Sequence, residues 1–406
     1  MKFKTVANNG AGCNGSVRIQ GKKRFLATSL AFAMALLVVP SVASAGLRQP
    51  DNTPLKQFGF ATGPDVDTPA EISRYYGVVK KVAGQGGIIR TGLAWDPIYY
   101  SVPDFNTWSS LKLEPSLAMD LTVLPRISTN GPGGYRIPTD AQWTASLRQI
   151  VRMYGPNGIY AKGGTYVRNG KTTTVAAHPD FKGLTDYELW NEPDSRGNVN
   201  GTMTSAKIAH LLRIGSVVMR EEAAKLGFAI NIVGPGFDGV EVADAEKLWQ
   251  ADNEIFKFID TLSVHAYSRV SVTKCNPLLE KVRCIKNLET IRAFLDSHGG
   301  AHVHLATTEG GYAGSAGSCL GPQVLSEETQ AAYSEEAITW IRNHPSLNVD
   351  FWVTYAAIDG TGTYGYNCDS KIFDNTFWKQ KLGIVRADLS LKPWGARLNY
   401  LINSWR

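Results

Sequence analysis

From Gln57 onward the chain alternates short apolar, β-branched runs with longer stretches in which apolar residues return every three or four positions. The first pattern has the period of a strand and the second that of a helix with one buried face. Their alternation predicts βα units around a parallel sheet. Eight runs predict strands: QFGFATG from Gln57, GIIRTGLAW from Gly87, DLTVLPRIS from Asp120, LTDYELWNE from Leu184, AINIVGPGF from Ala229, TLSVHAYS from Thr261, AHVHLATTEGG from Ala301 and NVDFWVTYAA from Asn348. Between them, TPAEISRYYGVVKKV opens with Thr68 as cap, Pro69 at the first helical position and Glu71 closing a capping box. SEETQAAYSEEAITWI opens on Ser326 with acidic residues in its first turn, and KPWGARLNYLINSW supplies an eighth helix. Eight units without a break in composition predict an α/β fold, a single (β/α)8 TIM barrel over residues 46–406, rather than a doubly wound sheet with an added domain.

A barrel keeps its chemistry in the loops at the carboxyl ends of its strands. Two long Gly- and Tyr-containing loops fall there, TNGPGGYRIPTD after the third strand and IDGTGTYGYNCDSKIFDNTFWKQ after the eighth. A third, YAKGGTYVRNGKTTTVAAHPDFKG, precedes the fourth strand and lies at the opposite end unless it folds over the rim.

Composition separates the first 45 residues from the rest. KKRFLATSLAFAMALLVVPSVASA has a basic start, an apolar run from Phe25 to Val39 and a small-residue end at Ala43-Ser44-Ala45. This predicts a secretory signal over residues 1–45, cleaved after Ala45, and a secreted or periplasmic protein with no stable membrane insertion after cleavage. The alternative, an uncleaved anchor, meets an apolar run that is short for a bilayer and carries Thr28 and Ser29. The whole chain has 42 Lys and Arg against 36 Asp and Glu, and six of the basic residues (Lys2, Lys4, Arg18, Lys22, Lys23 and Arg24) lie in that segment. The remainder is therefore neutral, and the basic excess belongs to export rather than to a nucleic-acid-binding face. Outside the signal four cysteines remain, an even count that suits two disulfides in an oxidising compartment. The short separation of Cys275 and Cys284 predicts a local bridge there and leaves Cys319 for Cys368. Zinc is the competing use of these cysteines, and neither a C-x-x-C step nor suitably spaced histidine accompanies them.

Two carboxylates stand at strand ends, Glu192 in YELWNEPD and Glu309 in HLATTEGGY. Paired carboxylates at a barrel rim suit cleavage of a glycosidic bond, one protonating the departing oxygen and the other stabilising or attacking the anomeric carbon. Taken alone, either glutamate reads as a solvated or salt-bridged loop residue. Together, WNEP after the fourth strand, HAY closing the sixth and Glu309 closing the seventh resemble the clan A retaining glycoside hydrolases, most of all families 39 and 5. The resemblance covers the chain after the signal in topology, with specific motifs only at the strand ends.

That resemblance implies Glu192 as general acid/base and Glu309 as nucleophile. It implies Asn191 as the amide that binds the hydroxyl beside the reacting carbon, and His265 and Tyr267 as the sixth-strand pair lining the site, Tyr267 donating to the nucleophile. Arg90 resembles the second-strand arginine that keeps the nucleophile ionised, and Trp352 the eighth-strand aromatic that floors the subsite beside the scissile bond. A glycosyl-enzyme intermediate is implied, with no metal or cofactor.

Read for themselves, the residues leave alternatives open. Glu188 alternates onto the strand face of Trp190 and Glu192, so Arg90 equally suits a structural pairing with Glu188. A satisfied core histidine is the lesser alternative for His265. Trp95, Tyr99 and Tyr100 follow the second strand, where aromatics stack on sugar rings; each alone reads equally as packing, and Trp95 is preferred to the two tyrosines. His302 and His304 share a strand face but lack a third ligand, and GQGG from Gly84 precedes a strand, unlike a phosphate loop. Retaining chemistry requires carboxyl groups roughly 5 to 5.5 Å apart, inversion more than about 6.5 Å. The expectation is an exported retaining glycoside hydrolase whose partner is an oligosaccharide or polysaccharide. The alternatives are a catalytically inactive carbohydrate-binding barrel, a transglycosylase using the same glutamates, and a metal-dependent hydrolase, for which the sequence lacks His and Asp clusters.

Overall fold

The computed structural model describes residues 52, 54–55, 57–62, 68–95, 104–129, 137–168, 170–194, 203–278, 283–316, 324–360 and 381–405. Residues 1–45, for which the sequence predicts a signal, Tyr99, Tyr100, Cys319 and Cys368, and most of the loops after the third and eighth strands, lie outside these residues, as does the side chain of Trp95.

Eight parallel strands close into a barrel: β1 (Gln57–Ala61), β2 (Ile88–Trp95), β3 (Thr122–Thr129), β4 (Asp186–Leu189), β5 (Asn231–Val233), β6 (Thr261–Tyr267), β7 (His304–Gly311) and β8 (Val349–Thr354), with β8 pairing back onto β1. Each lies within one of the eight predicted runs, except that β3 runs one residue past its run, to Thr129. Around them stand α1 (Pro69–Ala83), the helical segment α2 built from Phe105–Trp108, a π-helical turn Ser109–Leu113 and Glu114–Ala118, then α3 (Asp140–Tyr154), α4 (Ser205–Leu226), α5 (Val242–Ala251), α6 (Asn287–Ser297), α7 (Glu327–Arg342) and α8 (Pro393–Trp405). The capping box at Thr68 and Glu71 is formed, and Ser326 Oγ accepts the Thr329 N–H at the start of α7.

Strand alternation divides the core in two. Ala61, Ile88, Leu124, Val233, Ala306, Phe351 and Val353 make a small inward-facing cluster that plugs the barrel. Their strand neighbours Phe60, Ile89, Val123, Ile232, Leu305 and Trp352 join the larger cluster under the helices. Above the plug, toward the carboxyl ends, the interior turns polar with Arg90, Glu188, His265 and Glu309, all at most 7% exposed. Trp352 is therefore not the floor of a sugar subsite. It is 1% exposed and belongs to the helix side of β8, with its Nε1 donating to Thr354 Oγ1 at 3.0 Å. Residues on the barrel side of β8 are odd-numbered, and the period of two excludes Trp352 from them. Tyr355, just beyond the strand, packs against the inner cluster and sits 6.4 Å ring to ring from Tyr267.

The segment before β4 does fold back. Gly164–Arg168 and Lys171–Val175 form an antiparallel hairpin, and Arg168 Nη1 donates to Asp104 Oδ2 at 2.7 Å. Asp104 caps the start of α2, and helices of a βα barrel start at the carboxyl ends of the strands. Arg168 at the end of the hairpin's first strand thus reaches the chemical end. His302 and His304 have structural partners, the Phe256 carbonyl at 2.8 Å and Asp350 Oδ1 at 2.6 Å.

Candidate active site

The stretch YELWNEPD leaves β4 through two residues in the left-handed region, Trp190 at φ 78° and Glu192 at φ 45°. Such backbone costs on the order of 1–3 kcal/mol per non-glycine residue and persists only where the surroundings fix it. Here the Trp190 N–H donates to the Ile127 carbonyl at 2.9 Å, and the Glu192 N–H to the Gly236 carbonyl at 2.6 Å. The turn breaks the alternation that would put Glu188, Trp190 and Glu192 on one face. Glu188 faces inward to Arg90. Trp190 instead packs in the helix layer, 5.6 Å ring to ring from Trp143, and the chain is freed to aim both Asn191 and Glu192 into the cleft. Gly236 is needed opposite: a Cβ there would stand 2.6 Å from Glu188 Oε1 and 3.0 Å from His265 Nε2.

Glu309 is aimed by a second irregularity. The register between β6 and β7 slips between Val264 and His265, which pair with Thr307 and Glu309. Strict alternation from the inward Ala306 would turn Glu309 outward; the extra residue, Thr308, restores it to the interior.

The side chains converge as a network. Arg90 reaches three groups: Glu188, Glu309 Oε1 at 2.5 Å and Asn191 Oδ1 at 2.7 Å. Both readings of Arg90 are therefore met in its contacts. Tyr267 donates its hydroxyl to Glu309 Oε2 at 2.6 Å. His265 Nδ1 lies 2.8 Å from Glu192 Oε1 and 3.7 Å from Glu309 Oε2. Ligand atoms of Glu192, His265 and Glu309 all lie within 4.8 Å of one another, so an oxygen of each carboxylate does too. A three-donor set of this kind has metal-ligand dimensions, but Arg90 and Tyr267 already bring donors to both oxygens of Glu309.

Electrostatics favours the ionised form of Glu309. Burial alone would raise the Glu309 pKa, but the charges of His265 and Arg90 and the Tyr267 hydroxyl outweigh it and hold the group well below the ordinary carboxylate range. For His265, burial pulls down while Glu309 and Glu192 pull up more strongly, and the net direction is upward. The two shifts express one coupled ion pair. Burial and the adjacent Glu309 drive the Tyr267 hydroxyl well above its usual value, so it stays a donor. Glu192, with an 18% exposed side chain, faces the open cleft.

Arg126 on β3 was not singled out in the sequence. Its Nη1 lies 3.4 Å from Asn191 Oδ1 and its charge adds to the lowering of Glu309. The available signal was a lone cation inside the apolar run TVLPRIST.

No protein-family model matches the sequence, and no curated protein matches it. Solved structures do. A glucosidase from Croceicoccus marinus aligns with a TM-score of 0.59 at 12% identity, over 88% of this chain and 69% of that one. A family 39 glycoside hydrolase from Bacteroides cellulosilyticus WH2 aligns at 0.54 and 17% identity, over 87% of this chain and 64% of that one. A monomeric β-xylosidase from Caulobacter crescentus CB15 gives 0.56 and 12%, over 86% and 67%. The chain thus spans about two-thirds of the length of these proteins, and at such identities the likeness is one of fold, a (β/α)8 barrel shared with glycoside hydrolases.

Proposed function

We propose that the protein is a retaining glycoside hydrolase that cleaves O-glycosidic bonds of a β-linked polysaccharide or glycoside. The observation that carries this reading is the carboxylate pair: oxygens within 4.8 Å, with Glu309 buried among donors that hold it ionised and Glu192 partly exposed. That spacing supports retention, since inversion leaves room for a water and needs more than about 6.5 Å. Neighbours in fold named as a glucosidase and a β-xylosidase agree with a glycosidic substrate.

In the first step the Glu309 carboxylate attacks the anomeric carbon while the Glu192 carboxylic acid protonates the departing oxygen. A glycosyl ester forms and the aglycone leaves. In the second, the Glu192 carboxylate takes a proton from water, the water oxygen attacks the same carbon, and the Glu309 carboxylate is released. Arg90 and Tyr267 keep the nucleophile ionised and oriented. Asn191 Oδ1 accepts from Arg90 and lies near Arg126, which turns its amide N–H group toward a sugar hydroxyl. The Cys275–Cys284 bridge supports an exported protein; among the described residues no helix is long and apolar enough to cross a membrane.

Glu309→Ala should lower kcat on aryl β-glycosides by a factor on the order of 10⁴ or more. The fold should survive because Arg90 keeps Glu188 as partner. NMR of the first-formed product should show the β-anomer. An α-anomer, or activity retained in Glu309→Ala, rejects double displacement on Glu309. Binding of oligosaccharide in calorimetry without any turnover identifies an inactive barrel instead.

A further inference from the structure

The rim beyond Tyr267 carries two guanidinium groups that the chemistry above leaves unused. Arg269 follows β6 by two residues. Arg283 is held in the next βα connection by the Cys275–Cys284 disulfide, whose second cysteine is its chain neighbour. Arg283 Cζ stands 5.9 Å from the centre of the Tyr267 ring, and that ring's hydroxyl donates to Glu309. Tyr267, Ser268, Arg269, Arg283, Gly311 and Leu382 line one small cleft. It opens at the carboxyl ends of β6 and β7, two residues past Glu309 on its own strand.

Among the described residues this cleft holds two cations and no carboxylate. Several arginines elsewhere pair with carboxylates, as Arg152 does with Glu222, Arg213 with Asp252 and Arg220 with Asp260, while Arg342 donates to the Leu55 carbonyl. Among the described residues neither Arg269 nor Arg283 has such a partner, and Arg283 Nη1 is buried with no hydrogen-bond acceptor. The two cations are close enough to act on each other: burial first, then the charge of Arg283, lowers the Arg269 pKa. Packing over Tyr267 accounts for the Arg283 ring contact alone. It accounts neither for a second cation beside it nor for an N–H buried without an acceptor. An anion between the two forks satisfies both, since guanidinium geometry matches carboxylate and sulfate oxygens in pairs. The chain outside the export segment is neutral overall, so attraction of an anion has to be local.

We propose that Arg269 and Arg283 form an anion subsite beside the nucleophile that takes a uronate carboxylate or sulfate ester of an acidic β-glycan. The proposal rests on the glycoside hydrolase reading and names its substrate class.

The test compares kcat/KM for 4-nitrophenyl β-glucuronide and a 6-sulfated β-glucoside with the neutral β-glucoside and β-xyloside, in wild type, Arg269→Gln and Arg283→Gln. The expected result is a preference for one anionic substrate, whose identity names the anion. The acidic-to-neutral ratio should fall about 10- to 100-fold in each variant, the span expected for a lost charge-assisted hydrogen bond. A ratio scatter common to both substrates, acting through Tyr267, cancels in this readout, and the exposed Arg269 tests the idea without endangering the fold. Neutral glycosides turned over at least as well, with a ratio that neither variant changes, overturn the subsite and leave the hydrolase reading intact. If no glycoside is cleaved, the hydrolase reading fails and calorimetry of Glu309→Ala protein with glucuronate-containing and sulfated oligosaccharides decides the subsite. Affinity equal to that for neutral oligosaccharides, or unaltered by Arg283→Gln, overturns it; tighter binding of one anionic series that Arg283→Gln abolishes upholds it.

Discussion

Glu309 receives a guanidinium N–H on one oxygen and a phenol O–H on the other, and each donor favours the ionised form. Removing one should raise its pKa. Tyr267→Phe is therefore expected to move the acid limb of the kcat/KM profile upward by about one pH unit, the size of one hydrogen bond to a charged group. An acid limb that stays in place would show that Tyr267 does not control ionisation of Glu309. At this scale the sequence was informative about residue types and less so about directions. Glu192, Asn191, Arg90, His265, Tyr267 and Glu309 do meet in one cluster. Trp352 does not join it, because an aromatic residue one position out of phase on β8 packs against helices, and Tyr355 occupies the inner side. Arg126 escaped notice because a cation in a strand has no meaning until the strand closes into a barrel.

At the scale of elements, two departures from regular structure aim the chemistry: the left-handed residues after β4 and the extra residue in β7. Neither has a period, so a reading built on alternation could place the strands but not these kinks. Beyond β7 and β8 the chain is tied by a buried cation. Lys392, fully buried before α8, donates to the Gly314 carbonyl and to Asp359 Oδ1, both at 2.8 Å. Burial lowers the Lys392 pKa and raises that of Asp359, each opposed by the other's charge. Lys392→Met leaves Asp359 buried without its cation and should destabilise the fold by about 3–5 kcal/mol. Chemical denaturation reads this as a lower midpoint at unchanged slope. Adding Asp359→Leu should recover part of the loss, and a double variant no more stable than the single one would argue against the pair.

For the whole molecule, acid stability follows from the sign of the shifts. Glu309 is depressed in the fold, so its contribution is complete above the unfolded carboxylate value of about 4.3 and is lost as pH falls through the lower folded value. The raised His265 acts oppositely: its contribution is complete below an unfolded value of about 6.5 and fades as pH rises through the folded one. The melting temperature should accordingly be highest in mildly acidic buffer, fall below about pH 4 and decline gently above neutrality. In Glu309→Ala both slopes should weaken, because the coupled partner is gone; slopes identical to wild type would separate the site from the pH dependence of the fold. The sequence by itself determined the number and order of the βα units and the strand ends at which the carboxylates stand, since hydrophobic period and helix caps are local properties of the chain. Tertiary structure alone decided which side chains point inward and how close the two carboxylates come. Among the described residues it also decided which cations are left without carboxylate partners, because these depend on barrel closure and a slipped register that join residues far apart in sequence.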